Sequence, residues 1–296
     1  MPGEGGVSLA GIEAEHRRRL RRGRMWTAAQ FMAVSLVLAA SVHLSGAADN
    51  AIDGGWGERV ASFFDRLLPQ LRGEALLADR MTPGSLASWF HDLPRWLEAM
   101  RVTIAMAFVG TVVGGVIAFV LAFFAASNLN RNKALRLLVR RGFDAARTIP
   151  DAILALIFAS AFSIGAVAGV LTLIVATTGS LGKLFSEALE NAQMQEVEAV
   201  RATGGNWLQE MRFGIVPQML PQLLSYWLLR MEVNLSLAAA LGVVGAGGIG
   251  IELQRAISFT EFDTYLAILL LIVGCISVLD TISEHLRHHL IGEGAH

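Results

Sequence analysis

Three polar side chains stand inside one long apolar run. Arg230, Glu232 and Asn234 fall near the middle of residues 217–244. A charge in such a run can hold an oppositely charged solute or pass a proton. In hydrocarbon it is expensive unless it meets a partner or a wet cavity. Arg230 and Asn234, four residues apart, share a helix face, and Glu232 is rotated about 200° from Arg230. The expectation is that Arg230 or Asn234 faces an anion pathway, while Glu232 braces another helix or a second chain. A second pattern lies before this run: Glu198-Ala199-Val200, then Gly204, then Val216-Pro217. Its small residues Ala199 and Ala202 and a bend at Gly204 suit an element that sits in a groove on another protein. Glu196, Glu198 and Arg201 are placed to pair with charges there. A third pattern, Gly245-Ala246-Gly247-Gly248-Ile249-Gly250, matches G-x-G-x-x-G. It follows an apolar run rather than a strand, so it is read as close backbone approach and not as a dinucleotide site; Gly245, Gly247 and Gly250 become candidates for an outer gate or loop.

Other chemistry is missing. Gly182-Lys183 is followed by Leu184, and Thr177 stands where a phosphate-binding loop needs its first glycine. The chain is therefore not expected to hydrolyse ATP. No Ser/His/Asp set, metal-ligand cluster or catalytic carboxylate pair falls in a plausible span. Cys275 is the only cysteine, so no disulfide forms within the chain. The net charge of -1 gives no nucleic-acid signature.

These residues need a membrane to position them. The 296 residues are 54% hydrophobic and only 17% charged, too apolar for a single soluble core. Apolar runs at 25–48, 102–126, 149–178, 217–244 and 264–284 are long and continuous. In hydrocarbon that favours helices, because each must satisfy its own backbone. The 149–178 run holds Gly165 and Gly169 and is split into two short helices about a turn at 163–169. Six spans follow, an all-α polytopic bundle. Basic residues set the orientation. The cluster at Arg17–Arg24, the 127–147 loop and the 183–212 region fall inside, with both termini; 49–101 and 245–263 fall outside. The 49–101 segment is expected to be partly helical and to lie on the outer surface or cap the bundle. A secretory signal ending near Ser45-Gly46-Ala47 is set aside in favour of an uncleaved first helix. Pro150-Asp151 reads as ordinary helix N-terminal chemistry.

The spacing from Glu198 through Gly204 to Pro217 resembles the EAA loop of binding-protein-dependent ABC importer permeases. Val200 replaces the third alanine, Gly214 stands at the isoleucine position and Val216 at the leucine. Leu181–Phe185, Ala202–Gly205, Val216–Gln222, Ser225-Tyr226 and Leu241–Gly250 are similar to the phosphonate branch of that family. The likeness in motifs covers about 180–253, and helix order extends it over roughly 100–285. It implies a type I ABC importer permease-like fold in the bacterial plasma (inner) membrane. A tail, first helix and outer segment (1–101) would precede a permease core (102–296) whose coupling loop is 196–217. It implies ATPase coupling through Glu198, Ala199, Arg201, Gly204 and Pro217. The implied partners are a second, identical permease chain, two cytoplasmic ATPase subunits and an extracytoplasmic substrate-binding protein, with no nucleic acid. No cofactor is expected on this chain; ATP and Mg would sit on the ATPase. The cargo implied is phosphonate or a related phosphorus oxyanion. The alternative is an ion-coupled secondary transporter using Glu232, Asp151 or Asp280, but that reading gives no reason for the 198–217 spacing.

Overall fold

A computed structural model describes residues 9–45 and 55–292. The candidate cleavage site runs into residues 46–54, outside the described residues. The chain divides into two compact units, 1–65 and 66–296. The first contains α1 (Leu9–Leu44), whose apolar part is Ala29–Leu44. Helix α2 (Trp56–Leu67) crosses the division.

The regular structure of the second unit is all helix, with no strand among its described residues. A short helix α3 (Leu86–Trp89) leads into α4 (Leu93–Ala125), α5 (Lys133–Thr148), α6 (Asp151–Phe162) and α7 (Ala166–Glu190). Then come α8 (Met194–Ala202), α9 (Trp207–Gln209), a π-helical segment Glu210–Ile215, and α10 (Val216–Val243). The chain closes with α11 (Ile249–Ser258) and α12 (Phe262–Gly292).

Several of these elements depart from the sequence expectation, each for a physical reason. The split of the third apolar run occurs at Ser163–Gly165, where Ser163 (φ 77°) and Gly165 (φ 151°) leave helical geometry. Its two halves are unequal. Residues 179–190, beyond the apolar run, continue α7 because this stretch packs inward: Gly179, Gly182 and Phe185 are buried. The basic 127–147 loop is largely the amphipathic helix α5, capped by the Asn132 side chain, which accepts from the Ala134 and Leu135 amides. The 245–263 loop contains α11. By length and composition α4, α7 and Phe262–Leu286 of α12 can each cross a membrane. The pair α5 and α6, bent by 90°, makes a fourth if counted as one span. Helix α6 has only 12 residues, and α10, although 28 long, carries Arg230 and Glu232.

Glycine lets the central helices approach closely, the usual device where lipid supplies no hydrophobic drive. A Cβ on Gly110 would lie 2.5 Å from Leu173 Cβ, and one on Gly114 2.8 Å from the Ile174 carbonyl. The opposite flank of α4 stays exposed through Phe108, Val112, Val116 and Val120, as a lipid-facing surface must.

Candidate functional site

The Glu198–Pro217 pattern folds into one knit element. Helix α8 ends at Ala202 with Thr203 as its cap, and Gly204 turns the chain at φ 80°, in the left-handed region that suits glycine. Gly205 then packs against the carbonyl of Val200, 2.9 Å from where a Cβ would stand. Asn206 caps α9: its side chain accepts from the Gln209 amide, while Gln209 Oε1 accepts from the Asn206 amide.

Arg201 and Glu210 clamp the two arms together. Arg201 Nε donates to Glu210 Oε1 and Nη2 to Oε2, both at 2.9 Å. The geometry is the bidentate fork that matches guanidinium to carboxylate. Glu210 is nearly buried, whereas Arg201 is half exposed. The expected pairing of Arg201 with a separate protein is thus met inside the chain. Glu198, Ala199 and Ala202 remain exposed on the outer face of α8. On its inner face Val197 is fully buried, and the Cβ that Gly214 lacks would stand 3.0 Å from Val197 Cα. This is why a glycine can stand at that motif position. Met211, Ile215, Met219 and Leu223 extend the same core.

The hydrogen bond with Arg201 holds the Glu210 carboxyl below its ordinary value of 4.5. A carboxylate lowered in the folded protein stabilises it above the ordinary value, and that contribution is lost as pH falls through the lowered one. The clamp should therefore be indifferent to pH from 8 to 5 and open only below about 4.5. Trp207 reports on it, because its Nε1 donates to the Leu129 carbonyl and its ring stacks on Phe124. Its emission, taken as the difference from a Trp207→Phe variant, is expected to stay constant to pH 5 and shift below 4.5. A shift between pH 7 and 6 would contradict the clamp.

The segment after the clamp contains contacts with no periodic sequence signal. The helix widens just before Pro217: the Val216 amide bonds the Met211 carbonyl, five residues back. Gln218 braces this turn. Its Nε2 donates to the Gly214 carbonyl at 2.6 Å and to the Gln193 carbonyl at 3.2 Å, while its Oε1 accepts from the Gln193 amide. A second staple lies nearby: Glu190 accepts from the Ser127 amide and pairs with Arg140, whose Nε donates to the Ala125 carbonyl. It ties α5 to the ends of α4 and α7.

Helix α10 carries the polar triplet. One face presents Trp227, Arg230 and Asn234 at spacings of three and four. Trp227 Nε1 donates to the Thr111 carbonyl at 3.1 Å, and Arg230 Nε approaches Thr177 Oγ1 at 3.5 Å. Asn234 Nδ2 donates to both Thr111 Oγ1 and Thr177 Oγ1 at 2.7 Å. The expected shared face of Arg230 and Asn234 thus converges on Thr177. Asn234 is fully buried between helices, and its Oδ1 has no hydrogen-bond partner among the described residues. Arg230 keeps partial access, and Glu232 lies partly buried on the other side of the helix. Asn234→Leu would lose two hydrogen bonds and also remove the unsatisfied oxygen; Thr111 keeps its bond to the Ala107 carbonyl. Its cost to stability should stay within about 1 kcal/mol, read by thermal melting in detergent. A much larger loss would show that Asn234 organises the bundle.

The glycine-rich loop after α10 is a packed joint. Gly245, Gly247 and Gly248 take φ of 92°, 91° and 70°. The Gly165 amide donates to the Gly245 carbonyl at 3.0 Å, joining this loop to the break between α6 and α7. A Cβ on Gly247 would stand 2.7 Å from the Ala166 amide nitrogen. Thr103 Oγ1 accepts from the Ile249 amide at 2.8 Å. Gly250 packs on α10, with the Ala239 carbonyl 2.2 Å from its absent Cβ. No group of His, Cys, Asp or Glu suited to a metal occurs among the described residues.

Comparison with known proteins agrees with this geometry. The family model described as "binding-protein-dependent transport system inner membrane component" matches residues 114–291. A phosphite transport system permease protein of Stutzerimonas stutzeri is 34% identical over 223 residues, covering 75% of this chain and 80% of that protein. A putative cryptic phosphonate transport system permease protein of Escherichia coli is 46% identical over 121 residues, 41% of this chain and 99% of that one. The inward-facing MetNI methionine ABC transporter shares the fold, with a TM-score of 0.57 at 23% identity over 66% of this chain and 95% of the other. The ion-coupled alternative finds no support among these relatives. The coupling-loop spacing, the helical bundle and the matched span together make this chain a member of the binding-protein-dependent transport permeases, multi-pass components of the inner membrane.

Proposed function

We propose that this chain forms one half of the membrane pathway of an ATP-driven importer for phosphonate or a related phosphorus oxyanion. The observation that carries the reading is the element 194–217. Its two arms are locked by Arg201 and Glu210, its core is continuous with α10, and Glu198, Ala199 and Ala202 are exposed for docking. An element built this way moves as a body. A cytoplasmic ATPase subunit holding Mg-ATP would seat on it, and closure of two such subunits would swing the helices of two permease copies against each other. The relatives' names, phosphite and phosphonate permeases, support the cargo class.

The rest of the assembly follows from the same reading. An identical second chain completes the pathway. A substrate-binding protein delivers cargo at the opposite end, near the Gly245–Gly250 joint, which serves as the outer gate. Both termini are cytoplasmic in this topology, since Arg17–Arg24, Arg131–Arg147 and Lys183–Arg212 then share one side. Arg230, held at Thr177 and partly accessible, is the cation that meets the anion in mid-membrane, and Glu232 braces the neighbouring helix or chain.

Two measurements test this. Co-purified in detergent and reconstituted in vesicles with its ATPase and binding protein, the complex should show ATP hydrolysis stimulated by methylphosphonate or phosphite. Arg230→Ala should lower uptake at least tenfold with assembly unchanged, while Arg230→Lys retains part of it. Normal uptake in Arg230→Ala would remove the pathway role. Cysteine labelling that placed residues 196–215 on the outer side would end the importer reading.

A further inference from the structure

Ahead of α4, residues 66–89 fold into a loop that walls a cavity of about 670 Å³. Its frame is well bonded. The Arg72 amide donates to the Gly84 carbonyl at 3.0 Å and the Leu86 amide to the Leu76 carbonyl at 3.1 Å. Ser85, fully buried, donates its hydroxyl to the Asp79 carbonyl and caps α3 by accepting from the Ser88 amide. The frame is anchored to α12 by Trp89, whose Nε1 donates to the Asp263 carbonyl at 2.9 Å, and by Arg66, which lies over the Phe262 ring.

The lining is strongly cationic. Arg66, Arg72 and Arg80 face the cavity against the single carboxylate of Asp263, three positive groups to one negative. Arg80 lies 3.7 Å from Asp92, an exposed and loose pair. The Arg72 guanidinium makes no ion pair among the described residues, so an anion can claim it without breaking one. Guanidinium forks match tetrahedral oxyanions in two-point contacts. The volume adds a second constraint. It is far larger than a bare phosphate needs and lies in the range of pockets for small organic ligands. Leu71 and Met81 supply apolar wall beside the arginines, and Met81 is almost wholly exposed at the rim.

We propose that this loop is a binding site for a phosphorus oxyanion bearing an organic substituent, with Arg72 and Arg80 as its principal ligands. The ligand chemistry has two sources, a soluble organophosphonate or a lipid phosphate headgroup. The site goes beyond the transport reading, and its test uses the isolated full-length chain without ATPase or binding protein.

The chain is purified in dodecyl maltoside, which contains no phosphorus. Phenylphosphonate is titrated while phosphorus-31 line broadening is followed, and in a second arm phosphatidylglycerol retained through delipidation is quantified. Saturable broadening weakened at least tenfold in Arg72→Gln/Arg80→Gln, and also weakened in Met81→Asp at the rim, supports the site and assigns it to soluble phosphonate. Lipid retention that falls in those variants, with no phosphonate broadening in the wild type, supports the site and assigns it to lipid. Equal melting temperatures show that the variants fold, and Arg72→Lys/Arg80→Lys should recover part of the binding. Binding in both arms that is absent from the wild type or unchanged in the folded variants overturns the proposal.

Discussion

Arg201→Ala is expected to reduce ATP-driven uptake at least tenfold while leaving the complex assembled. The argument rests on an asymmetry within the clamp. Arg201 is half exposed, whereas Glu210 is nearly buried beneath the turn. Removing the arginine strands a carboxylate with little access to water; removing the carboxylate leaves an arginine that water can still solvate. Glu210→Gln should therefore be the milder change, because an amide still offers one acceptor to Arg201. A loosened clamp lets α8 shift relative to the π-helical segment, so a push on α8 is absorbed before it reaches α10. The diagnostic result is ATP hydrolysis that persists without uptake in Arg201→Ala vesicles. Full uptake in that variant would show that the two arms need not be locked for coupling.

Gly250→Val should act on the fold itself. A Cβ at this position stands 2.2 Å from the Ala239 carbonyl oxygen and 2.6 Å from Gly242 Cα, all backbone that cannot rotate away. On the facing helix a Cβ on Gly242 would stand 2.4 Å from the Gly247 carbonyl, so neither side has room to yield. Forcing α11 off α10 should cost about 3 kcal/mol, the upper end for overpacking. Thermal melting in detergent should fall by roughly 10 °C and the yield of monodisperse protein should collapse. Gly142→Ala is the control. Gly142 lies exposed within α5 with nothing within 4 Å of its Cβ position. That change should be neutral or stabilise by up to about 1 kcal/mol. Equal melting of Gly250→Val and the wild type would show that the α10–α11 joint is more yielding than its spacing implies.

The sequence made some features plain and concealed others for definite reasons. The long apolar runs at 102–126 and 217–244 became α4 and α10 within a few residues of their C-terminal ends, because continuous apolarity is a strong signal. The break at 163–165 was legible from glycine in an apolar run. The C-terminal part of α7 is concealed because Lys183, Glu187 and Glu190 interrupt the apolar run, although α5 covers this stretch, with Phe143 on Gly182 and Arg140 on Glu190. Helix α5 was hidden by its arginines, which read as loop although they stand on one side of an amphipathic helix. In the 194–217 element, the sequence pointed to small residues on one face and a bend at Gly204. It could not reveal Arg201 with Glu210: a separation of nine residues has no meaning until the chain reverses at Gly204. Nor could it reveal Gln218, whose side chain bonds the Gln193 backbone only once the chain has folded back on itself. Arg230 and Asn234 were placed on one face by helical period alone, yet their meeting at Thr177 depends on the close approach of α7.

The widened turn at Glu210–Ile215 has a mechanical consequence. It works as a spacer that fixes the azimuth of α8 about the axis of α10. Closing its six residues to a regular α-helical pitch, with none deleted, would swing α8 by about 100°. Val197 would leave its seat against Gly214, and the exposed face of α8 would turn with it. The aim of α8 is thus set by the pitch of one turn, and Pro217 follows it in the first turn of α10.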